Sequence, residues 1–334
     1  MSHRAAAHRG ADPGGTKMSK HFRVLAAAGA LVCGLHQSPA SAQEIGVTIS
    51  NFNDNFLTLL RQAMSETAEQ HQGTSLQFED SQLEVGRQLD QVQNFVASGV
   101  DGIIIAPVDG GSTEAMTAAA EQSGIPVVYT NNLPVNLDQL PPNQVFVGSD
   151  ETESGRMQGE EICRQLKDAG IESATAVILL GDLSNPATPL RTESAKAAFA
   201  SEGCPSIDVV DEQTATWQRN QASDLMTNWL TAGIQPDVVV ANNDEMAIGA
   251  ILAMKAVGVD MKKVIVAGID ATPDALAAMA AGDMDVTVLQ SARGQGKAIV
   301  ETMLALIAGQ DVPREVYVPY ELVTPANYQE FLPN

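Results

Sequence analysis

Polar and aromatic side chains cluster just after the apolar runs of this sequence, where they could bind a hydroxylated molecule. The segments that follow successive runs are rich in Asp, Asn, Gln, Arg and aromatic residues and contain no Lys, His or Cys. Carboxylates and amides form hydrogen bonds with neighbouring hydroxyls, Arg donates from a planar fork, and aromatic faces cover the C–H face of a ring. The pattern favours a neutral polyol over a phosphate or an amino acid. The candidate ligand-binding residues are Asp54, Asn55, Phe56, Asn131, Asn185, Arg191, Trp217, Asn243, Asp270 and Gln290.

Several of these residues also have a purely structural interpretation. Four of the Asp and Asn side chains stand where a helix is expected to begin, so N-capping alone would account for Asp54, Asn55, Asn243 and Asp244. Phe56 and Trp217 could equally be core residues, and Arg191 could lie on a solvated helix face.

Asp270 differs from the other acidic candidates. It precedes Thr272 and Pro273, which already supply a helix cap and a first-turn proline. Its own side chain is therefore not needed as a cap, which favours a binding role.

The elements that position these residues alternate between short apolar runs and amphipathic helical stretches. The runs are apolar throughout, which is typical of strands buried on both faces of a parallel sheet. In one helical stretch Val85, Leu89, Val92 and Val96 recur at helical spacing. The predicted strands are Ile45–Ile49, Ser75–Phe78, Gly102–Ala106, Pro126–Tyr129, Val145–Gly148, Ala174–Leu180, Ile207–Val210, Asp237–Ala241, Val264–Ala267, Val286–Leu289, Glu315–Val318 and Glu321–Val323.

This order of elements predicts an α/β protein with doubly wound parallel sheets. The first ten strands fall into two sets of five, and the chain after residue 42 is longer than one core usually accommodates, so we expect two similar lobes. The break between them, near Ser149–Asp150, is short, so the lobes should pack closely. Ligands of open parallel sheets bind beyond the carboxyl ends of the strands, which is where the candidate residues stand.

Charge and composition argue against several classes of function. Residues 1–42 hold five of the 19 Lys and Arg residues and one of the 41 Asp and Glu residues, which leaves 14 basic and 40 acidic side chains and a net charge of −26. Nucleic acids and anionic membranes both need clustered cations, so we expect neither as a partner. His71 is the only histidine after residue 42, which argues against a His-based triad or a multi-histidine metal site. We expect no metal and no cofactor.

The N-terminal segment has the pattern of an export signal. Lys20 and Arg23 precede an apolar run, Val24–Leu35, and small residues end at Ala42. This predicts a secretory signal cleaved after Ala42, because the run is too short for a membrane span. We therefore expect the protein to lie in the periplasm.

Two details of this segment bear on that expectation. Residues 1–17 are interpreted as an upstream extension before a second start at Met18. Cys33 offers the alternative of a lipoprotein anchor, but Val32 stands where such an anchor needs a small residue.

Five longer motifs resemble a known family. They are IGVTISNFNDNF, VDGIIIAPVD, VFVGSDETESG, ANNDEMAIGAILAMKAVG and GIDATPDALAAM. With these motifs the chain, from Ile45 to about Val323, is similar to the periplasmic galactose/glucose- and ribose-binding proteins of bacterial ABC importers. Three further motifs, NFNDNFLT, LLGDLSNPATPLRT and DEQTATWQRNQ, are most similar to the inositol- and rhizopine-binding branch.

The resemblance implies a type I periplasmic binding protein, in which a multi-strand hinge joins the two lobes. The expected N-terminal lobe comprises residues 43–149 and 291–318. The expected C-terminal lobe comprises residues 150–290 and 319–334.

The resemblance also implies roles for single residues. Phe56 and Trp217 would stack on the two faces of the ring. Hydroxyl-binding roles fall to Arg191, Asn243 and Asp270, the first-lobe motif supplies Asp54 and Asn55, and Gln290 matches the ribose type.

Departures from the galactose type are equally informative. Asn185 and Ala187 replace a His and an Asp of that type, and Ala106 replaces an Asn. The calcium loop is missing, because Lys167–Ala174 is too short to form it. These differences argue against galactose specificity and against bound calcium.

The implied function is a binding cycle without chemistry, so we expect no enzyme. The best ligand is myo-inositol or a close cyclitol, with a hexose or pentose as the alternative, and the partner is an ABC permease in the inner membrane. A sensor that presents ligand to a chemoreceptor remains an alternative role. An exported enzyme that acts on sugars is a remote one, in which Asp54 and Asp270 would serve as acid and base.

Two cysteines follow the leader, Cys163 and Cys204. Both are expected at the amino edge of the second sheet, opposite the ligand edge, and the oxidising periplasm permits a disulfide between them. Two buried free thiols are the alternative.

Overall fold

Strands and helices alternate along residues 42–332, which are the residues that this computed structural model describes. The strands are β1 Gln43–Ile49, β2 Thr74–Asp80, β3 Gly102–Ala106, β4 Val127–Thr130, β5 Gln144–Gly148, β6 Ser173–Leu180, β7 Ser206–Thr214, β8 Val238–Ala241, β9 Ile265–Ala267, β10 Thr287–Leu289, β11 Glu315–Tyr317 and β12 Glu321–Val323. The helices are α1 Asn55–Gln70, α2 Val85–Ser98, α3 Thr113–Glu121, α4 Glu151–Asp168, α5 Ala187–Phe199, α6 Arg219–Thr231, α7 Asp244–Ala256, α8 Pro273–Ala281 and α9 Ala292–Ile307.

The first lobe is built on a six-stranded parallel sheet in the order β11-β5-β4-β3-β1-β2. Helices α1 and α9 cover one face, where Leu60 and Val300 pack with Val47. Helices α2 and α3 cover the other face, where Phe95 and Met116 pack in one apolar cluster. Apolar residues on both faces are what a central parallel sheet requires.

The second lobe is built on a four-stranded parallel sheet in the order β7-β6-β8-β9. Helices α4 and α5 cover one face of this sheet, and α6, α7 and α8 cover the other. The fifth strand of this half, β10, pairs antiparallel with β12 instead of joining the parallel sheet directly. Two isolated bridges connect it to the segment around β9. The predicted α/β fold with two doubly wound lobes is confirmed.

Three connections join the lobes. The chain passes from β5 to α4 through residues 149–150, from β10 to α9 through residues 290–291, and from β11 to β12 through residues 318–320. The expected lobe boundaries fall within these connections, and the exact division stays a prediction. The predicted leader, apart from Ala42, lies outside the described residues. Within residues 42–332, no helix is long and apolar enough to cross a membrane.

The structure corrects the predicted burial of two strands. Both β2 and β7 are edge strands, each with a single neighbour in its sheet, and their residues alternate between exposed and half-buried over much of their length. They are therefore not buried on both faces as predicted. The apolar runs that suggested full burial supply only one covered face.

The predicted stripe of α2 is also only partly correct. Val85 is 41% exposed, whereas Val92 is buried. The buried face includes Gln88 and Gln91, whose amides form hydrogen bonds inside the lobe. A search for apolar spacing cannot find such residues, because their burial depends on polar partners.

Candidate ligand-binding site

A cavity of about 750 Å³ lies between the lobes at the carboxyl ends of both sets of strands. Its first wall comes from the loops after β1 to β4 and from the start of α1. Its second wall comes from the loops after β6 to β10 and from the first turns of α5 and α6. Both sheets therefore present the edge at which open parallel sheets bind ligands.

Arg191 is the best-anchored side chain of the second wall. The residue is 4% exposed, and its guanidinium donates from Nε to Glu151 Oε2 at 2.6 Å and from Nη1 to the carbonyl oxygen of Asn242 at 2.7 Å. Nη2 donates to Gln290 Oε1 at 3.0 Å and to the hydroxyl of Tyr320 at 3.2 Å. These bonds fix the plane of the guanidinium before any ligand is considered.

Tyr320 completes this cluster. Its hydroxyl donates to Glu151 Oε2 at 2.7 Å. Burial raises the pKa of Tyr320 well above its usual range, so the hydroxyl keeps the proton that it donates. Glu151 thus receives hydrogen bonds from both Arg191 and Tyr320.

Asp270 and Gln290 both line the cavity and carry different hydrogen-bonding groups. Burial raises the pKa of Asp270 well above its usual range, although Arg191 opposes this shift with Nη1 at 3.9 Å from Asp270 Oδ1. Gln290 must turn its oxygen toward Arg191, which can only donate. Its Nε2 is buried and has no partner among the described residues. The wall therefore brings a carboxyl group and an unpaired amide donor together beside the cavity.

The backbone of the site contains non-glycine residues in the left-handed region. The φ angles are +63° at Asn131, +47° and +66° at Thr216 and Trp217, and +125° at Asp270. Such conformations cost about 1–3 kcal/mol each and persist where the surrounding structure holds them. Their concentration at one cavity indicates that the positions of these side chains are functionally constrained.

Trp217 packs directly on the loop after β6. A Cβ on Gly181 would lie 2.1 Å from the indole ring, so only glycine permits this approach. The Arg191 guanidinium carbon lies 5.7 Å from the centre of the same ring. The indole is half-buried against the second-lobe core and also lines the cavity.

The acidic groups of the first wall are bound by their own loops. Asp54 caps α1 by accepting from the backbone N–H of Leu57 at 2.8 Å, and burial raises its pKa. Asp80 accepts from the N–H groups of Phe52 and Gln82 at 3.2 and 3.0 Å. These carboxylates shape the loops after β1 and β2.

Buried amides hold the loop after β3 in place. Gln88 donates to the carbonyl of Ala106 at 2.9 Å and accepts from the N–H of Val108 at 2.8 Å. Asn132 donates to the carbonyl of Pro107 at 2.7 Å. The polar residues on the covered face of α2 therefore support the site indirectly.

Asn55 connects the two lobes at the edge of the cavity. Its Nδ2 donates to Glu245 Oε1 of α7 at 2.8 Å. Glu245 in turn accepts two hydrogen bonds from Arg219, each of 2.8 Å. This contact lies beside a second, smaller cavity of about 560 Å³ that Asn55 helps to line.

The structure brings together nine of the ten predicted ligand-binding residues around the larger cavity, and Asn55 is the exception. Arg191 is buried and not on a solvated helix face. Asn243 caps α7, and Asn185 accepts from the N–H of Ala187 at 2.9 Å, so both also serve local structure. Their roles toward a ligand stay predictions.

Further residues that line the cavity were not predicted. Those after β2 would have been found by reading the residues beyond that strand as well. Glu151 at the start of α4 and Tyr320 in the connection from β11 to β12 lie behind the wall, and no strand-end pattern identifies them. The additional lining residues include Ser50, Asp80, Gln82, Leu83, Asn220 and Gln221.

The disulfide joins Cys163 in α4 to Cys204, which follows α5, with a Cα–Cα distance of 4.9 Å. Cys204 precedes β7, so the bond lies at the amino edge of the second sheet. This edge is opposite the cavity, and the disulfide therefore braces the back of the second lobe.

The chemistry of the cavity suits a neutral hydroxylated ligand. Its lining holds the carboxylates of Asp54, Asp80, Asp182 and Asp270 but only one cation, Arg191, among the described residues. An anionic ligand would be repelled by this excess of acidic groups, and the repulsion is strong because the cavity is partly shielded from water. No group of three His, Cys, Asp or Glu residues in the described part of the chain could hold a metal ion.

Comparison with known proteins agrees with this geometry. The profile of the periplasmic binding protein domain matches residues 45–311. A candidate rhizopine-binding protein of Rhizobium meliloti is 50% identical over 93% of this chain and 98% of its own length. A Bacillus halodurans solute-binding protein of an ABC transporter, solved with bound myo-inositol, is 41% identical with a TM-score of 0.80, over 88% of this chain and 98% of its own.

A more distant structure gives the same picture. The Caulobacter myo-inositol binding protein, solved with myo-inositol, is 26% identical with a TM-score of 0.79, over 87% of this chain and 96% of its own. The resemblance that the sequence motifs indicate is confirmed. This chain belongs to the periplasmic binding protein family.

Proposed function

We propose that this protein is the extracytoplasmic solute-binding component of an ABC importer and that it binds myo-inositol or a close cyclitol between its lobes. The observation that carries the proposal is the second wall of the cavity, in which Arg191, Asp270 and Gln290 offer fixed donors and acceptors to a ligand. An inositol carries a hydroxyl on every ring carbon, and each hydroxyl both donates and accepts. The hydrogen-bond donors and acceptors of the second wall can therefore pair with the hydroxyls around such a ring.

Aromatic side chains supply the apolar part of the proposed site. Phe56 from the first wall and Trp217 from the second both line the cavity. Aromatic faces cover the C–H faces of a ring, and the pair would enclose the ligand when the lobes meet. A ligand that contacts both lobes stabilises the closed arrangement, which an ABC permease would then recognise.

The similar proteins support the cyclitol over a hexose or pentose. The Bacillus halodurans protein was solved with myo-inositol, and the Rhizobium meliloti relative is named for a rhizopine. An enzymatic role has weaker support, because Asp54, one of the two carboxyl groups that it would use, already accepts the capping hydrogen bond from Leu57 N–H. A transport role also explains why residues from both lobes converge on one cavity.

Titration calorimetry tests the proposal. Protein freed of co-purified ligand by unfolding and refolding is titrated with myo-inositol, scyllo-inositol, glucose and ribose. We expect an inositol to bind in the micromolar range, about 8 kcal/mol, and to bind more tightly than either sugar. Tight binding of glucose or ribose without inositol binding would contradict the ligand assignment. Recovery of chemically altered inositol after incubation would contradict the non-enzymatic role.

A further inference from the structure

Arg191 contacts one residue at each of the three connections between the lobes. Glu151 begins α4 directly after the first connection, Gln290 lies in the second, and Tyr320 lies in the third. Tyr320 also donates to Glu151 at 2.7 Å, so two of the connections are joined without Arg191. All four side chains are buried.

The same guanidinium lines the proposed binding site. Of the five N–H groups that Arg carries, one on Nε, one on Nη1 and two on Nη2 are used by the hydrogen bonds already described. One N–H of Nη1 has no hydrogen-bond partner among the described residues, and Nη1 faces Asp270 Oδ1 at 3.9 Å. The direction of this remaining donor is therefore set by the residues at the connections.

We propose that Glu151 and Tyr320 are positioning residues of the binding site, which orient Arg191 toward the ligand and make its orientation depend on the hinge. This inference rests on the proposed binding function. Neither residue lines the cavity, so neither is assigned a contact with the ligand. They act through Arg191.

Lobe movement must change this cluster. Opening the cleft alters the backbone angles of the three connections, and with them the relative positions of Glu151, Gln290 and Tyr320. A planar guanidinium satisfies all three partners in only a narrow range of arrangements. A ligand bound to Arg191 stabilises the arrangement that suits it and so favours one hinge state over the other.

A second cluster at the hinge, formed by Ser149, Val318 and Gln295, provides an example of a purely structural contact. Ser149 in the first connection donates to the carbonyl of Val318 in the third at 2.7 Å, and Gln295 of α9 donates to Ser149 at 2.8 Å. This cluster joins the first and third connections to α9, yet none of its members lines the cavity. Of these two clusters, the Arg191 cluster is the one placed to link the ligand site to the hinge.

Tyr320→Phe tests the positioning role, because it removes the hydroxyl and leaves the ring. We expect affinity for myo-inositol to fall about tenfold, the effect of losing about 1.4 kcal/mol. The matched control is Tyr317→Phe, since the hydroxyl of Tyr317 also donates to a glutamate, Glu315, at 2.6 Å, but at an exposed position away from the cavity. This control should bind as the wild type does.

Deoxy-inositols separate positioning from general destabilisation. In the wild type, one monodeoxy analogue should bind weakly because it lacks the hydroxyl that Arg191 engages. For that analogue the penalty of Tyr320→Phe should disappear, whereas for the other analogues it should remain about tenfold. Ser149→Ala, at the structural cluster, should lower affinity equally for all analogues or not at all.

Each result has a defined meaning. If wild type binds inositol and Tyr320→Phe binds it equally well, the positioning role is wrong and the proposed function stands. A penalty of equal size for every analogue would also overturn the positioning role. If Tyr320→Phe does not fold, Glu151→Gln replaces it with the same expected pattern. A wild type that binds no polyol overturns the proposed function and this inference together.

Discussion

The two walls of the cavity use their charged groups differently. On the first wall, the carboxylates of Asp54 and Asp80 accept hydrogen bonds from backbone N–H groups of their own loops. On the second wall, the side chains of Arg191 and Asp270 are buried side by side, and Arg191 is held by side chains at the lobe connections. The carboxyl groups of the first wall stabilise the shape of their loops, whereas the polar groups of Arg191 and Asp270 on the second wall line the cavity.

This difference suggests an order of binding. Arg191 is already fixed and keeps a donor without a partner among the described residues, so ordering it costs little conformational entropy and the second lobe is suited to bind first. The first lobe then adds Phe56 and its polar loops as the cleft closes. Variants on the two walls should therefore differ in effect, and the following predictions run from the largest effect to the smallest.

Removal of the disulfide tests whether the second wall depends on the brace behind it. Cys163 and Cys204 are 41 residues apart, and in the chain-entropy model a loop of this size stabilises by about 4 kcal/mol. We expect Cys163→Ala/Cys204→Ala to lose about this much free energy of unfolding in urea. Inositol affinity of the folded protein should change little, because the bond lies at the edge opposite the cavity.

Reduction of the wild type with dithiothreitol provides the control. It should lower the urea midpoint of the wild type and leave the double variant unchanged. Two alkylatable thiols in denatured, unreduced protein from the periplasm would show that the bond is absent.

Trp217→Ala should have the largest effect on affinity. The indole lines the second wall and is fixed against Gly181, so its loss removes a preformed ring contact worth about 3 kcal/mol. Phe56→Ala on the first wall should also weaken binding by a few kcal/mol. It should lower stability as well, because Phe56 packs in the first-lobe core.

Tryptophan fluorescence identifies the residue that responds to ligand. The second tryptophan, Trp229, is buried and donates to Asp211 away from the cavity. Inositol should change the emission of the wild type and of Trp229→Phe but not of Trp217→Phe. If Trp217→Ala bound inositol with the affinity of the wild type, Trp217 would be a core residue without a role in binding.

Asp270→Asn should weaken inositol binding by about 2 kcal/mol, because hydrogen bonds to a charged group contribute about 1.5–3 kcal/mol. Burial raises the pKa of Asp270, and hydroxyl donors favour its ionised form. Ligand binding therefore lowers this pKa, so affinity should fall as pH decreases through the raised pKa of the free protein. Calorimetry over a series of decreasing pH values should show a steeper fall in affinity for the wild type than for Asp270→Asn.

Asp285→Asn is the matched control for the pH dependence. Burial raises the pKa of Asp285 to about 6, but this carboxylate accepts from the N–H of Val266 and does not line the cavity. Its replacement should leave the slope of affinity against pH unchanged. If the dependence of affinity on pH persisted in Asp270→Asn and disappeared in Asp285→Asn, the titrating group would be Asp285 and not Asp270.

Sequence patterns predicted the order and bounds of the strands well. Buried parallel strands are recognised from their own apolar residues, and the residues that follow them lie at the edge of the sheet where ligands bind. The predicted strands agree with the observed ones within a few residues, and the residues after them converge on one cavity. The edge positions of β2 and β7 were missed, since burial of a strand depends on its neighbours in the sheet.

The parts that could not be predicted are those that depend on distant partners. Glu151 looks like a first-turn acidic residue of α4, and Tyr320 lies in a short connection. Their importance arises only because both meet Arg191 in space. Asn55 stands in the first-lobe motif beside Asp54, yet its amide turns toward the other lobe.

The contact between Asn55 and Glu245 should give the smallest effect. Asn55→Ala removes a single exposed hydrogen bond across the cleft, so we expect a loss of about 1 kcal/mol, or about fivefold in affinity. Because the contact forms when the lobes meet, the loss should appear as faster ligand release in stopped-flow fluorescence, with the association rate nearly unchanged. Asp274→Ala is the matched control, since Asp274 accepts from the same Arg219 at 2.7 Å but makes no contact with the first lobe in this cluster. Slower association with unchanged release in Asn55→Ala would mean that Asn55 binds the ligand itself. A similar effect of Asp274→Ala would mean that the whole Arg219 cluster acts through the stability of the second lobe.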